Sequence, residues 1–271
     1  MYFVTLASAF NMEPSSSRNP QRTLVVTTLF ATAAIVGWPF SLALSIPFVM
    51  EELFLYAGDI VPTAEKSKWM VNRWLRFARS VAIAALIFVG PIQASALCPT
   101  DPSYLIQVPV IGIDSLAYGK LAIVPWNIIK YNIFSAASGK GPALYGTEPW
   151  SYYLANLVLN FNGLLLLALG SLPALVVTYF VDVKRLGFTK ADPERSNPFT
   201  LLAMRLLPLY LWMGILTAQP HKEERFMYPA YPLVCFNAAV TLYLARGWLE
   251  VAYVKSTASP YQASTVSPSL L

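Results

Sequence analysis

Four runs of the chain, 78–98, 154–181, 199–218 and 227–246, consist almost entirely of apolar residues, and each is about 20 residues or longer, the length a helix needs to cross a bilayer. Inside hydrocarbon, only structures that satisfy their own backbone hydrogen bonds persist, so runs of this kind become helices. A fifth run, 23–50, is longer and is interrupted by Gly37, Trp38, Pro39 and Pro47. It is expected either to cross once, tilted, or to fold back at GWPF as two half-helices. Composition agrees: 56% of the residues are hydrophobic and 12% charged, and the mean hydropathy is +0.52, too apolar for one soluble domain. The expected fold is an all-α polytopic membrane protein, a multi-helix transmembrane bundle forming one domain over 1–271, with no internal repeat.

The loops set the expected orientation. Loop 51–77 and its edge carry Lys66, Lys68, Arg73, Arg76 and Arg79, and loop 182–198 carries Lys184, Arg185, Lys190 and Arg195. Short basic loops stay on the cytosolic side, which leaves 99–150 and the QPHKEERF turn on the lumenal or exterior side. Arg18 and Arg22 join the cytosolic set only if 23–50 folds back. The net charge of +5 is thus a signature of topology rather than of nucleic-acid binding.

The 99–150 loop is no simple linker. LAIVPWNIIKYNIF, 121–134, is apolar and aromatic with the isolated Lys130, which suits a helix lying in the headgroup layer with Trp126 and Tyr131 at the interface. GPALYGTEPWSYY, 141–153, is rich in turn formers and aromatics; on its own it reads equally well as an aromatic belt before the next span. Residues 1–11 read as the end of a membrane helix rather than a signal peptide, because no basic segment precedes them. The 249–271 tail is polar and Ser/Pro-rich. Cys98 and Cys235 read as free thiols, and with a single histidine the chain has no metal-ligand spacing.

His221, Lys222, Glu223, Glu224 and Arg225 follow one another between two apolar runs. A plain lumenal connection with snorkelling bases accounts for them in part. Two features argue for more: Pro220, Pro229 and Pro232 restrict the backbone on both sides, and mixed charges make a poor lipid anchor. The alternative is a pocket for a lipid-linked phosphate at the membrane surface. There Arg225 binds bidentately, Lys222 acts as a point charge and His221 donates, while Glu223 or Glu224 orients a base or accepts sugar hydroxyls.

QPHKEERFMYPAYPLVC is very similar to the signature of the dolichyl-phosphate-mannose-dependent mannosyltransferases of the endoplasmic reticulum, multispanning enzymes of GT-C architecture. IDSLAYGKLAIVPWNIIKYNIF, LYGTEPWSYYLANLVLNFN and GWPFSLALSIPF resemble the same family in the same order, across roughly residues 24–246. Within it, the chain most resembles the members that form α-1,2 linkages in asparagine-linked glycan assembly.

The resemblance implies transfer of mannose from dolichyl-phosphate mannose to a lumenal dolichol-diphosphate-linked oligosaccharide, with inversion at the anomeric carbon and no cofactor or metal. It makes His221, Lys222, Glu223, Glu224 and Arg225 candidates for the donor phosphate site. Tyr145, Glu148 and Trp150 are candidates for the sugar or acceptor site, and Asp114 is a weak candidate for a catalytic role. It places the catalytic base in a first lumenal loop upstream of this chain, so the sequence is expected to be a fragment lacking both ends of the family's length. Members that build the glycosylphosphatidylinositol anchor carry weaker versions of the same blocks. A lipid transporter or scramblase and a non-catalytic remnant that binds a partner enzyme remain the competing readings. The absence of ionisable residues from 78–98 and 154–181, apart from Arg79 at the edge of the first, argues against ion-coupled transport.

Overall fold

A computed structural model of the chain describes residues 15–97, 110–134, 141, 145–186 and 194–257, most of them helical. The first apolar run is a hairpin. Its first helix, α1 (Pro20–Thr32), starts with Pro20 in the first turn and with the Asn19 side chain accepting the Arg22 N–H at 3.2 Å. The helix widens into a π-helical turn, Ala33–Gly37. It stops at Trp38, which is extended (φ −131°, ψ 121°) because a proline follows it. A 3₁₀ stretch, Pro39–Ser45, leads into α2 (Ile46–Phe54), which returns beside α1. The Phe30 and Phe48 rings lie 6.3 Å apart, Thr23 donates to Glu52 at 2.9 Å, and Arg22 lies 3.8 Å from Glu51. The two ends of the run therefore meet, and GWPF forms the bend. The long α3 (Lys66–Leu97) packs along both arms.

Two helices lie within the 99–150 stretch: α4 (Val110–Tyr118) and α5 (Val124–Ile129), the latter continuing as a π-helical turn, Lys130–Phe134. Trp126 and Tyr131 are exposed, and α5 rests on the 3₁₀ stretch of the hairpin bend.

The 154–181 run is three helices, α6 (Tyr152–Phe161), α7 (Gly163–Leu169) and α8 (Ser171–Val181). The break between the first two is at Asn162, where φ is +47° and the axes turn by 119°. Asparagine accepts positive φ more readily than most residues, and Asn-Gly is a turn-forming pair. Hydropathy alone does not register such a bend.

Helix α9 (Pro198–Ala218) starts with Pro198 in its first turn and with Asn197 accepting the Phe199 N–H at 2.8 Å. It ends at Gln219, which is extended ahead of Pro220. A 3₁₀ stretch, Glu224–Ala230, leads to α10 (Tyr231–Thr257). Among the described residues α9 alone is long and apolar enough to cross a membrane, and α6 with α7 makes a second such unit if the bent pair is one broken span.

Polar bonds tie α7–α10 together in an otherwise apolar interior. Buried Asn237 donates to the Ser171 hydroxyl and the Leu206 carbonyl, both at 3.1 Å, and Thr241 donates to the Leu167 carbonyl at 2.7 Å. Leu159, Leu166, Phe180 and Leu249 project outward, each more than 70% exposed. Cys235 is a free thiol, while residues 1–14, Cys98 and the tail beyond Thr257 lie outside the described residues.

The bundle has two distinct ends. At one, Trp38 in the hairpin bend stacks on Phe226 at 4.6 Å and meets Trp212 edge-on at 5.6 Å. At the other, Arg205 lies 3.5 Å from Glu51. There the 55–61 loop is bonded to 194–196, through Val61 N–H to the Glu194 carbonyl at 2.9 Å and Ala57 N–H to the Ser196 hydroxyl at 3.1 Å. At 1.5 Å per residue, Arg205 and Ala218 are about 20 Å apart along α9.

Candidate functional site

The charged turn follows from prolines. Pro220 stops α9, Glu223 is extended (φ −133°, ψ 144°), and the chain re-enters a helix only through the 3₁₀ stretch containing Pro229. This geometry leaves carbonyls without helical partners, and such groups need donors. Lys222 supplies one. Its side chain is buried, and its ammonium donates to the Glu148 carbonyl at 3.0 Å and to the Gln219 carbonyl.

The same contacts recruit the 145–150 segment, more than 70 residues earlier in the chain. The Glu148 N–H donates to the Pro220 carbonyl at 3.0 Å. His221 Nδ1 lies 3.0 Å from the Gly146 carbonyl, and the Tyr145 and His221 rings are 6.4 Å apart. Gly146 has φ +107°, a backbone that a side-chain-bearing residue rarely adopts. The two blocks singled out in the sequence are thus one structural unit.

Within the turn, His221 Nε2 lies 3.1 Å from Glu223 Oε1, and the Arg225 Nε donates to the other oxygen of the same carboxylate. The hydrogen bond from His221 and the contact with Arg225 outweigh a smaller opposing effect of burial, so Glu223 is held below the usual carboxylate range. Both atoms facing the imidazole can only accept, and a neutral ring donates from one nitrogen alone. The Glu223 N–H donates to the Tyr153 hydroxyl at 3.2 Å.

The structure therefore divides the expected phosphate ligands. Lys222 does not present its charge to a ligand; it staples two loops together. Arg225 is the outward-facing cation, with its side chain 69% exposed and its guanidinium 5.7 Å from the Phe226 ring centre. Tyr145, Glu148, Trp150 and Glu224 are exposed as well, and of these Tyr145 lies beside the His221 ring. Asp114 sits on α4, partly buried, and makes no hydrogen bond or ion pair with the turn among the described residues.

Three supporting residues escaped the sequence reading. Tyr153 and Trp212 are fully buried. Trp212 donates to the Phe226 carbonyl at 3.0 Å, and Trp38 stacks on that same phenylalanine. A tryptophan or tyrosine inside an apolar helix was the available signal, since each carries a donor that needs a partner when buried.

An exposed guanidinium and an imidazole that share one carboxylate, with Tyr145 beside the imidazole, suit a phosphorylated sugar. Comparison with known proteins points the same way. The chain matches the Alg9-like mannosyltransferase family over residues 1–267. It is 36% identical over 242 residues to the alpha-1,2-mannosyltransferase alg9 of Schizosaccharomyces pombe, an alignment covering 89% of this chain and 34% of that protein. It is 38% identical over 226 residues to the alpha-1,2-mannosyltransferase ALG9 of Homo sapiens, covering 82% and 29%. A weaker likeness, 28% over 127 residues, links 46% of the chain to GPI mannosyltransferase 3 of Drosophila melanogaster. The chain belongs to the Alg9-like mannosyltransferase family and spans about a third of the length of the curated relatives it matches. No solved structure matches it.

Proposed function

We propose that the protein acts in transfer of mannose from dolichyl-phosphate mannose to a dolichol-diphosphate-linked oligosaccharide, forming an α-1,2 linkage, in the endoplasmic reticulum membrane. The charged turn with its stapled loop is the donor-phosphate end of the site. As the acceptor oxygen bonds to the anomeric carbon, the bond from that carbon to the phosphate oxygen breaks and negative charge grows on the leaving group. Arg225 meets that charge, and His221 and Glu223 fix where Arg225 points. The acceptor proton goes to a carboxylate base outside this turn; Glu223 itself is already engaged by His221 and Arg225 and held below the usual carboxylate range. No cofactor is needed, since the donor's own phosphate is the leaving group.

The observation that carries this reading is the joining of 145–148 to 219–223 by three hydrogen bonds. A mere connection between helices has no reason to recruit a distant loop around an exposed arginine. For the membrane, the reading rests on the outward-facing leucines and phenylalanine. For orientation, it rests on the end opposite the turn, where the hairpin brings Arg18 and Arg22 together with Arg73 and Arg76 of the first basic loop and with 194–196 of the second. That end is cytosolic and the turn lumenal in a multi-pass arrangement.

The test is Arg225→Ala in microsomes supplied with labelled donor. A fall in mannose transfer of about 100-fold or more is expected at unchanged membrane abundance. Near-normal transfer would reduce the turn to a lipid-anchoring connection. A cysteine replacing exposed Trp150 should react with an impermeant thiol reagent only after the lumenal side is opened.

A further inference from the structure

The three carboxamides of the 154–181 run, Asn156, Asn160 and Asn162, all fall at or before the bend that ends α6. In a straight span they would face hydrocarbon or another helix, where an amide without partners is costly. The chain instead turns by 119° at Asn162. The backbone there (φ +47°, ψ −128°) is one that a residue with a side chain adopts only at a cost. The turn lays α6 against the charged end of the bundle. Near its start the Tyr153 hydroxyl accepts the Glu223 N–H, and near its end Asn160 reaches Tyr231, the first residue of α10.

Asn156 and Asn160 are four residues apart on α6 and share one of its faces. The Asn160 amide donates to the Asn156 carbonyl and side-chain oxygen, both at 3.0 Å, and lies 3.4 Å from the Tyr231 hydroxyl. These bonds fix the pair without exhausting it. The amide nitrogen of Asn156 and the side-chain oxygen of Asn160 have no hydrogen-bond partner among the described residues.

Aromatic rings stand beside the pair. The Tyr231 ring has the Phe161 ring edge-on at 4.9 Å and the Tyr228 ring at 5.5 Å. Tyr228 is exposed, and the exposed Glu224 carboxylate interacts with the Tyr231 hydroxyl. Arg225, the next residue, is bonded instead to Glu223. The set therefore offers amide donors and acceptors, phenols, ring faces and one carboxylate. A phosphate needs cations. A neutral, polyhydroxylated ligand with apolar C–H faces needs this mixture of groups.

We propose that Asn156, Asn160, Tyr228, Tyr231 and Glu224 form a subsite for a neutral sugar of the acceptor oligosaccharide, beside the donor-phosphate end at Arg225. That the sugar belongs to an acceptor rests on the transfer reading above; that the ligand is a sugar rests on these residues. Tyr228 supplies a ring face, the asparagines supply a donor and an acceptor, and Glu224 accepts from a sugar hydroxyl. The bend at Asn162 holds the asparagines at the turn.

The test is saturation-transfer difference NMR with mannotriose, on the protein in a zwitterionic detergent because maltoside detergents are themselves sugars. Asn156→Ala combined with Tyr228→Phe removes an amide and a hydroxyl and leaves the Asn160 contact with Tyr231 in place. That variant should bind mannotriose about tenfold more weakly than wild type, the scale of two neutral hydrogen bonds. Tyr228→Phe alone, which keeps the ring and its packing, should bind about threefold more weakly. Arg225→Ala should bind mannotriose as wild type does. Equal binding by wild type and both Tyr228 variants would reduce the Asn160–Tyr231 contact to a tie between helices and overturn the subsite. So would the absence of any mannotriose signal, or its loss in Arg225→Ala. The transfer reading is judged separately: normal mannose transfer by Arg225→Ala in microsomes sinks that reading and leaves the mannotriose result standing.

Discussion

At one end of α9, Arg22, Arg73 and Arg76 crowd around Glu51 and Glu52, and both carboxylates are at most 1% exposed. At the other end, His221 and Arg225 share Glu223, which is a third exposed, and Arg225 stands mostly in solvent. Both clusters set basic side chains around carboxylates, yet the consequences differ. Buried ions hold their place only while every partner is present, because an uncompensated charge has no water to turn to. Exposed ions rearrange at little cost and can exchange a protein partner for a substrate. One end uses charge to lock a hairpin shut, and the other keeps charge available for chemistry.

The largest test of that contrast is Glu52→Ala. It removes the carboxylate shared by Arg22, Arg73 and Arg76 and should destabilise the protein by about 3–5 kcal/mol, seen as a large fall in the thermal midpoint in detergent. Glu223→Ala should cost less than about 1 kcal/mol while damaging transfer far more. Equal midpoints for the two variants would dissolve the distinction between a structural and a chemical end.

Lys222→Met comes next, because Lys222 is the buried exception at the exposed end. Losing its hydrogen bonds to the Glu148 and Gln219 carbonyls should cost roughly 1.5–3 kcal/mol. The effect should be local: chymotrypsin cleavage at Tyr145 or Trp150 should accelerate while the bundle stays folded. Unchanged cleavage would mean that the loop is held by the backbone bond to Pro220 and the His221 contact with Gly146 without help from Lys222.

The apolar runs made the helical fold legible in the sequence, and the prolines around HKEER marked where helices stop. What hydropathy could not deliver was path. The 23–50 run reads equally well as a span or a hairpin until Arg22 is seen beside Glu51, 29 residues later. The 154–181 run passes for one helix because Asn162 and Gly163 barely lower a windowed average, although they turn the chain through 119°. At the site, residue identity pointed to HKEER and to LYGTEPW, but not to the division of labour within them. Lys222 and Arg225 carry the same charge in sequence. Only burial, set by which carbonyls Pro220 leaves unpaired, makes one a staple and the other an exposed cation.

The smallest effect tests that division through pH. Glu223 is held below its ordinary value of 4.5 by the hydrogen bond from His221 and the contact with Arg225, against a weaker opposing effect of burial. A carboxylate with a lowered pKa stabilises the folded arrangement fully above its ordinary value and loses that contribution as pH falls through the lower, folded value. The link between the turn and the 145–150 loop should therefore show no Glu223-dependent change between pH 7 and 5, and it should loosen only below pH 4.5. A fluorophore on a cysteine replacing Trp150, in a background lacking Cys98 and Cys235, reports this as a drop in anisotropy. In Glu223→Gln the loop should already be loosened at pH 7, and the acid step should disappear. A step of equal size in both proteins would assign it to another carboxylate, and the exposed triad would then have no part in holding the loop.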